Sequence, residues 1–269
     1  MSNIKKLVIG AAAGALMLGT FAASAFASTT YHATDQTSLV SDLATATSGD
    51  TIVLDNGFNV SNEIAVNNSG VTIDGNGQTL TPTFTKNSNS NNATFGIYGS
   101  NVTVKDLTID GTSGTNLHGI NVYEATNVNL DDVTLENNGH NGLVVNGSTV
   151  TVNNLTTSNN GWGGVDVDLG SGVPGPAKLT VNGVSHQNEA YGKDLYVDDT
   201  TKNVSVVDTN HQYVTKDNAF VAGDRLYTLK TTFRNECKDG GWKLFTNPSF
   251  KNQGQCVSYA ESNDHAGKR

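Results

Sequence analysis

The sequence predicts an all-β chain wound as a solenoid of stacked parallel strands, and three observations predict it. The first is a repeat. Phe95-Gly-Ile-Tyr98, His118-Gly-Ile-Asn-Val122, Asn141-Gly-Leu-Val-Val145, Gly163-Gly-Val-Asp-Val167 and Lys193-Asp-Leu-Tyr-Val197 are short strands with apolar residues two apart. Ile120 to Leu143 is 23 residues, Leu143 to Val165 is 22, and Val165 to Leu195 is 30, the excess being a Gly/Pro insertion over Gly170 to Ala177. The second is an interleaved series of the same period: Asn101 to Thr108, Asn127 to Thr134, Thr149 to Thr156, Lys178 to Ser185 and Asn203 to Thr209. One repeat therefore contains at least two strands. The third lies at the corners. Asn137-Asn-Gly139 and Asn159-Asn-Gly161 occupy equivalent places, and Asn and Gly accept left-handed backbone at low cost.

A unit of this length cannot bury its apolar face alone. The dense Leu pattern of leucine-rich repeats is absent, and a period of two excludes helical repeats. What remains is a stack of coils about 4.8 Å apart, each strand pairing with its equivalent in the next. About six or seven such coils are expected. Ile120/Val122, Leu143/Val145, Val165/Val167 and Leu195/Val197 then point inward as rows, and Asn121, Val144, Asp166 and Tyr196 point outward. Asn side chains at the corners can bond the turn of the next coil.

Gly49-Asp-Thr-Ile-Val-Leu54, Val71-Thr-Ile-Asp-Gly-Asn-Gly77 and the coil series resemble the right-handed parallel β-helix, the pectin-lyase-like superfold. The resemblance covers roughly Asp50 to Asp208 and supplies the handedness, which the spacing does not. It implies a single-stranded right-handed β-helix and says little of activity, since one fold hosts many functions.

In chain order, 1–27 reads as a secretory signal: Lys5 and Lys6, an apolar run from Leu7 to Phe21, and the small-residue site Ala25-Phe-Ala27. The short, Ala- and Gly-rich run disfavours a membrane anchor, so an exported, secreted or cell-surface protein is expected, not an integral membrane one. Loss of the two lysines takes the formal charge from -9 to -11. An acidic chain with few aromatics is a poor partner for nucleic acid or anionic membrane, and repels polyanions unless a cation bridges them. Residues 28–50 are read as an N-terminal cap. Within it Thr37 to Ala46 reads as a short helix with Thr37 as N-cap and Leu39, Val40, Leu43 and Ala44 on one face; it covers the open end of the solenoid. The β-helix proper is placed at 51–210, its first coil being Thr51 to Leu54, Glu63 to Val66 and Val71 to Asp74, followed by a polar loop over Thr81 to Ala93. Residues 211–269 close the chain. There Tyr213 to Thr232 reads either as a last coil or as a covering hairpin. Cys237 and Cys256, the two cysteines of the chain, are expected to form a disulfide that staples a small β unit. This stretch, through Gly240-Gly-Trp242 and Phe250-Lys-Asn-Gln-Gly-Gln-Cys-Val-Ser258, resembles a short C-terminal module of bacterial secreted proteins. That module implies no reaction.

Two constellations could carry chemistry. In the acidic one, outward positions stack into the rows Tyr98, Asn121, Val144, Asp166, Tyr196 and Tyr123, Asn146, Asp168, Asp198. Asp166 and Asp168 share a strand face, and Asp194 and Asp198 lie on the next coil. Four carboxylates in two coils are candidates for a Ca²⁺ site or for general acid/base work, with Lys193 as the adjacent base. Catalytic β-helices carry such clusters in a groove, so the resemblance singles out Asp166, Asp168 and Asp198. Two departures oppose it. Lyases of that family use a basic residue beside Ca²⁺, and the only arginines, Arg225, Arg234 and Arg269, fall outside the coils. The hydrolase motifs Asn-Thr-Asp and Gly-His-Gly are missing, although Asp131-Asp132 and Asp198-Asp199 exist and His118 and His140 adjoin glycines. In the aromatic constellation, His140, Trp162 and Tyr191 precede successive strands and would stack as a platform for sugar rings or fill a corner. No zinc spacing, phosphate loop or Ser/His/Asp order is present. The expectation is a monomeric, non-catalytic extracellular solenoid that binds a polysaccharide through Trp162, Tyr191, Tyr196, Asn121 and His140. The alternatives are a polysaccharide lyase or glycoside hydrolase, and a purely structural envelope component.

Overall fold

Alternation of apolar and polar residues closes, turn by turn, into three parallel ladders around one apolar core. The computed structural model describes residues 27–85, 93–111, 116–170, 172–189, 194–218, 221–230, 234 and 237–261. The expected signal segment therefore lies outside the described residues, as does most of the loop expected over Thr81 to Ala93. The first ladder runs β1 (Thr30–Ala33), β2 (Thr51–Leu54), β5 (Thr72–Pro82), β7 (Thr103–Asp110), β9 (Val128–Asp131), β12 (Thr149–Asn153), β15 (Ala177–Asn182), β18 (Val204–Asp208). The second stacks β4 (Ile64–Val66), β6 (Ala93–Ile97), β8 (His118–Tyr123), β11 (Asn141–Asn146), β14 (Gly163–Asp168) and β17 (Leu195–Val197). The third holds β3 (Phe58–Val60), the far ends of β5 and β7, then β10 (Thr134–Glu136), β13 (Thr156–Ser158) and β16 (His186–Asn188).

Six strands stack in each of the second and third ladders and eight in the first, the lower of the six or seven coils expected. The stack ends where Tyr213 to Leu229 forms the hairpin of β19 (Tyr213–Asp217) and β20 (Arg225–Leu229), and not a further coil. Strand β20 pairs antiparallel with β17 and closes its open edge. The inward rows stand as expected: Ile120, Val122, Leu143, Val145, Val167, Leu195 and Val197 are fully buried, and the register sets Val122, Val145, Val167 and Val197 on one another.

The corners explain the Asn-Asn-Gly pattern. Asn137 and Asn159 both have φ of 56°. The next asparagine of each corner bonds along the axis. Asn160 Oδ1 accepts from the Asn138 amide at 3.0 Å and from Asn138 Nδ2 at 2.8 Å, while Glu189 accepts from the Asn160 amide at 2.8 Å. Gly161 leaves no room for a side chain, since a Cβ there would lie 2.2 Å from the Gly139 carbonyl oxygen.

At the N-terminal end the helix α1 (Gln36–Thr45) covers the core with Leu39 and Leu43. Its N-cap is Asp35, not Thr37, because Asp35 and Ser38 form a reciprocal capping box: Asp35 Oδ1 accepts from the Ser38 amide at 2.8 Å and Ser38 Oγ from the Asp35 amide at 3.0 Å. Val40 and Ala44, expected on the buried face, are exposed. The cap also contains a strand, since β1 pairs with β2. A glutamine side chain bonds backbone at each end of the stack. Gln36 accepts from the Ser61 amide at 2.8 Å and donates to the Asn62 carbonyl at 3.0 Å. Gln212 accepts from the Ser185 amide at 2.8 Å and donates to the Gly183 carbonyl at 2.9 Å.

The Cys237–Cys256 disulfide is present, with Cα atoms 5.6 Å apart. The unit it staples is less purely β than expected. Strand β21 (Phe245–Asn247) joins β19, but the helix α2 (Gln253–Glu261) carries Cys256. Val214, Phe245, Phe250 and Tyr259 pack around the bridge as a second, small core. No described helix is long and apolar enough to cross a membrane.

Val145→Asp is expected to destabilise the chain by more than about 4 kcal/mol, since it buries an unpaired charge in the row; a urea midpoint equal to wild type would show the inward assignment to be wrong. Reduction of the disulfide, which spans a separation of 19 residues, is expected to cost about 3 kcal/mol. Denaturation with and without reductant, with intact mass to count thiols, measures it.

Candidate functional site

The outward side of the second ladder gathers most of the candidate residues, with one change of row. Gly96, not Tyr98, pairs with Asn121, so that row reads Gly96, Asn121, Val144, Asp166, Tyr196. Tyr98 follows Ile97, the partner of Val122, and stands with Tyr123, Asn146, Asp168 and Asp198. Its ring lies 6.4 Å from that of Tyr123, and its hydroxyl donates to Glu63 at 2.5 Å.

Outward does not mean exposed here. Asn121, Val144 and Asn146 are 1%, 7% and 5% exposed. Part of the cover is the Gly170 to Ala177 insertion. Gly170 packs on the Asn146 side chain, and Val173 lies where a side chain on Gly147 would go. Several polar atoms are buried on this side without a hydrogen-bond partner among the described residues: Thr94 Oγ1, Asn146 Oδ1, Asp166 Oδ1 and Asp168 Oδ1.

The carboxyl groups meet at the C-terminal end of the face. Burial raises the Asp166 carboxyl to about 7, helped by the charges of Asp168, Asp198 and Asp224. Burial and then the Asp198 charge raise Asp168 to about 6. Asp198 is raised as well, first by burial and then by its hydrogen bond to Asp224. Asp224 is the member that sequence reasoning missed. It sits at the foot of β20, is 3% exposed, accepts from the Tyr196 hydroxyl, and accepts from the Asp199 amide at 3.0 Å. Nothing in the repeat pattern marks it, because it enters from the antiparallel hairpin.

Asp194 leaves the cluster. It is 5% exposed, and its Oδ2 accepts from the Leu229 amide at 3.0 Å, which ties the hairpin to the last coil. The candidate Ca²⁺ set of Asp166, Asp168, Asp194 and Asp198 is thereby broken up. Among the described residues no group of three or more His, Cys, Asp or Glu is placed to hold a metal ion. Lys193, the candidate base, lies outside the described residues. So does Tyr191, which leaves the aromatic column with His140 and Trp162. Their rings stack at 3.5 Å and 15°, with His118 edge-on to His140 at 5.0 Å. His118 joins through the glycine-adjacent position noted in the sequence. Trp162 is 55% exposed, whereas His140 is 7% exposed.

This arrangement can donate and accept hydrogen bonds to hydroxyl groups near neutral pH, because carboxyls that titrate at 6 to 7 exist in both forms there.

No protein-family profile matches the chain, and no curated protein matches it. Solved structures to which it is similar include ORF18 of Geobacillus virus E2, at 14% identity and a TM-score of 0.47, over 60% of this chain and 36% of that one. They also include an alginate lyase from Paenibacillus sp. str. FPU-7, at 18% identity and a TM-score of 0.47, over 66% of this chain and 64% of that one. The chain thus spans just over a third of the first protein and just under two-thirds of the second.

The raised carboxyls fix a pH dependence. Unfolded, Asp166 and Asp168 lose their protons near 3.8; folded, they keep them to about 7 and about 6. Between these values the folded state binds more protons, so stability is expected to fall as pH rises from about 4 to about 7 and to level off above. Asp35, Asp50 and Asp199 are held below 3.8 by hydrogen bonds, so their contribution is complete above that value and is lost only in acid. Asp166→Asn is expected to flatten the slope and raise Tm at pH 8. An unchanged slope in thermal melts counts against the assignment.

Proposed function

We propose that this chain is an exported, non-catalytic solenoid that binds an uncharged polysaccharide along the outward face of its second ladder. One observation supports this reading above the rest: Thr94, Asn146, Asp166 and Asp168 bury polar atoms there that lack partners within the described residues. A polyhydroxylated ligand supplies donors to such atoms. Trp162, stacked on His140 and 55% exposed, adds apolar area that matches a sugar ring. An uncharged polymer fits better than a polyanion, because carboxyls dominate the face and no described group is arranged to bridge two anions through a cation. Export rests on the charged start and apolar run of 1–27 and on the disulfide.

A second reading, glycoside hydrolysis, is favoured by the Asp166 carboxyl. Raised to about 7, it has the protonation of a general acid at neutral pH, and Asp168 or Asp198 would serve as its ionised companion.

Both readings are separated by one set of experiments on the protein from Ser28 onward. Binding to a panel of neutral and acidic polysaccharides is measured with wild type, Trp162→Ala and Asp166→Asn, with and without EDTA, and reducing ends are counted. The expected result is retention on a neutral polysaccharide, weakened about tenfold by Trp162→Ala, indifferent to EDTA and without new reducing ends. Reducing ends that vanish in Asp166→Asn establish the hydrolase instead. Equal retention of wild type and Trp162→Ala on every polymer removes the binding reading.

A further inference from the structure

A cavity of about 710 Å³ lies at the end of the third ladder, and its lining includes Thr157, Val184, Gln187, Asn188, Asn210 and Gln212. That volume is within the range of ligand pockets, about 300 to 1,000 Å³. Three features of the lining point to one kind of ligand.

The first is an open strand edge. Strand β16 pairs with β13 and with no other described strand. The His186 amide donates to the Leu155 carbonyl at 2.9 Å, and the Asn188 carbonyl accepts from the Asn159 amide at 3.2 Å, both on the side of β13. Backbone groups alternate sides along a strand. Gln187 therefore turns its N–H and C=O to the opposite edge, where no described group meets them. The second is a pair of buried polar atoms. Thr157 is fully buried and Gln187 is 5% exposed. Gln187 Nε2 donates to the Asp194 carbonyl at 2.9 Å, but Gln187 Oε1 and Thr157 Oγ1 have no hydrogen-bond partner among the described residues. Such atoms cost free energy until a ligand meets them. The third is an amide already seated on this edge. The Gln212 carboxamide accepts from the Ser185 amide and donates to the Gly183 carbonyl, as one residue of an added strand would. Further along the same edge stand the backbone groups of Gln187.

We propose that the edge of β16 takes a short extended peptide as an added parallel strand, with a carboxamide side chain turned inward against Gln187. The residue before that side chain accepts from the Gln187 amide, and the residue after it donates to the Gln187 carbonyl. The inward carboxamide itself donates to Gln187 Oε1. The row Leu135, Thr157, Gln187 is thereby continued by a residue of like kind. Gln212 holds the start of the edge, so the added strand is as short as the three residues of β16. A peptide suits this edge better than a saccharide, because the free donor and acceptor stand at the spacing of a β-ladder. The inference does not rest on the reading of the acidic face, which lies on the second ladder.

Amide chemical shifts of the protein from Ser28 onward test it. The titrants are acetyl-Thr-Gln-Thr-amide, the same peptide N-methylated at its third residue, acetyl-Thr-Leu-Thr-amide and maltotriose. The expected result is saturable shifts at Val184 and Gln187 with the first peptide, slower hydrogen exchange of the Gln187 amide, and about tenfold weaker binding of either altered peptide. Gln187→Leu should weaken the first peptide about tenfold and bring it level with acetyl-Thr-Leu-Thr-amide, while the shifts of the coil residues stay in place. No saturable shift at Gln187 overturns the proposal. So does the N-methylated peptide binding as tightly as its parent, which removes the strand edge, or maltotriose binding as tightly, which makes the cavity a saccharide site. If Gln187→Leu unfolds the coils, the two altered peptides on the wild-type protein decide by the same criteria.

Discussion

In a parallel solenoid each side chain lies on its own equivalent one coil away, about 4.8 Å along the axis. Like therefore rests on like, and the value of a residue depends on whether it tolerates its own kind. Valine and leucine gain from this, as the stacked Val122, Val145, Val167 and Val197 show. Asparagine gains too, because its amide is both donor and acceptor: Asn127 donates to Asn101 at 2.9 Å, and Asn138 to Asn160 at 2.8 Å. Carboxylates lose. Asp168 precedes Asp198 by one coil, and the register that buries Val167 against Val197 sets the two side by side. Burial raises both carboxyls first, and the repulsion of two ionised groups so placed adds to it, so part of the shift follows from the same rule that builds the core.

That rule also decides what can be read from the sequence. Where the repeat carries the information, inward rows, corner asparagines and the ladder register are legible before any coordinates. The third ladder is hidden because its strands are three residues long with one inward position each, Leu135, Thr157 or Gln187. One residue shows no period, and two of those three are polar. The Tyr98 shift has a similar origin: Gly96 has no side chain to mark the row, and the tyrosine two places on is the first outward side chain the sequence shows. The N-cap at Asp35 was legible in principle, through Asp35-Gln-Thr-Ser38, but a second acceptor residue stood two places on at Thr37.

The site was only half legible, because it is made by two different parts of the chain. Asp166, Asp168 and Asp198 come from the coils and their shared face follows from parity. Asp224 comes from the hairpin, and the bond between Asp194 and the Leu229 amide likewise depends on how β20 docks on β17. Antiparallel docking obeys no solenoid period. The carboxyls thus stand at the seam where periodic sequence ends, and Asp224 of the docked hairpin adds to the shifts of Asp166 and Asp198. The column of His118, His140 and Trp162, by contrast, lies wholly inside the repeat.

The two glutamines that bond backbone at the ends of the stack bear on how copies of this chain meet. A carboxamide presents one N–H and one C=O in the geometry of a peptide group. Gln36 and Gln212 each spend that pair on the backbone, the former at Ser61 and Asn62, the latter at Gly183 and Ser185. Those are the groups that an incoming strand from a neighbouring molecule would recruit to lengthen the column. A single side chain thus impersonates the first peptide unit of a coil that never arrives, and head-to-tail growth into a filament finds that docking point already taken.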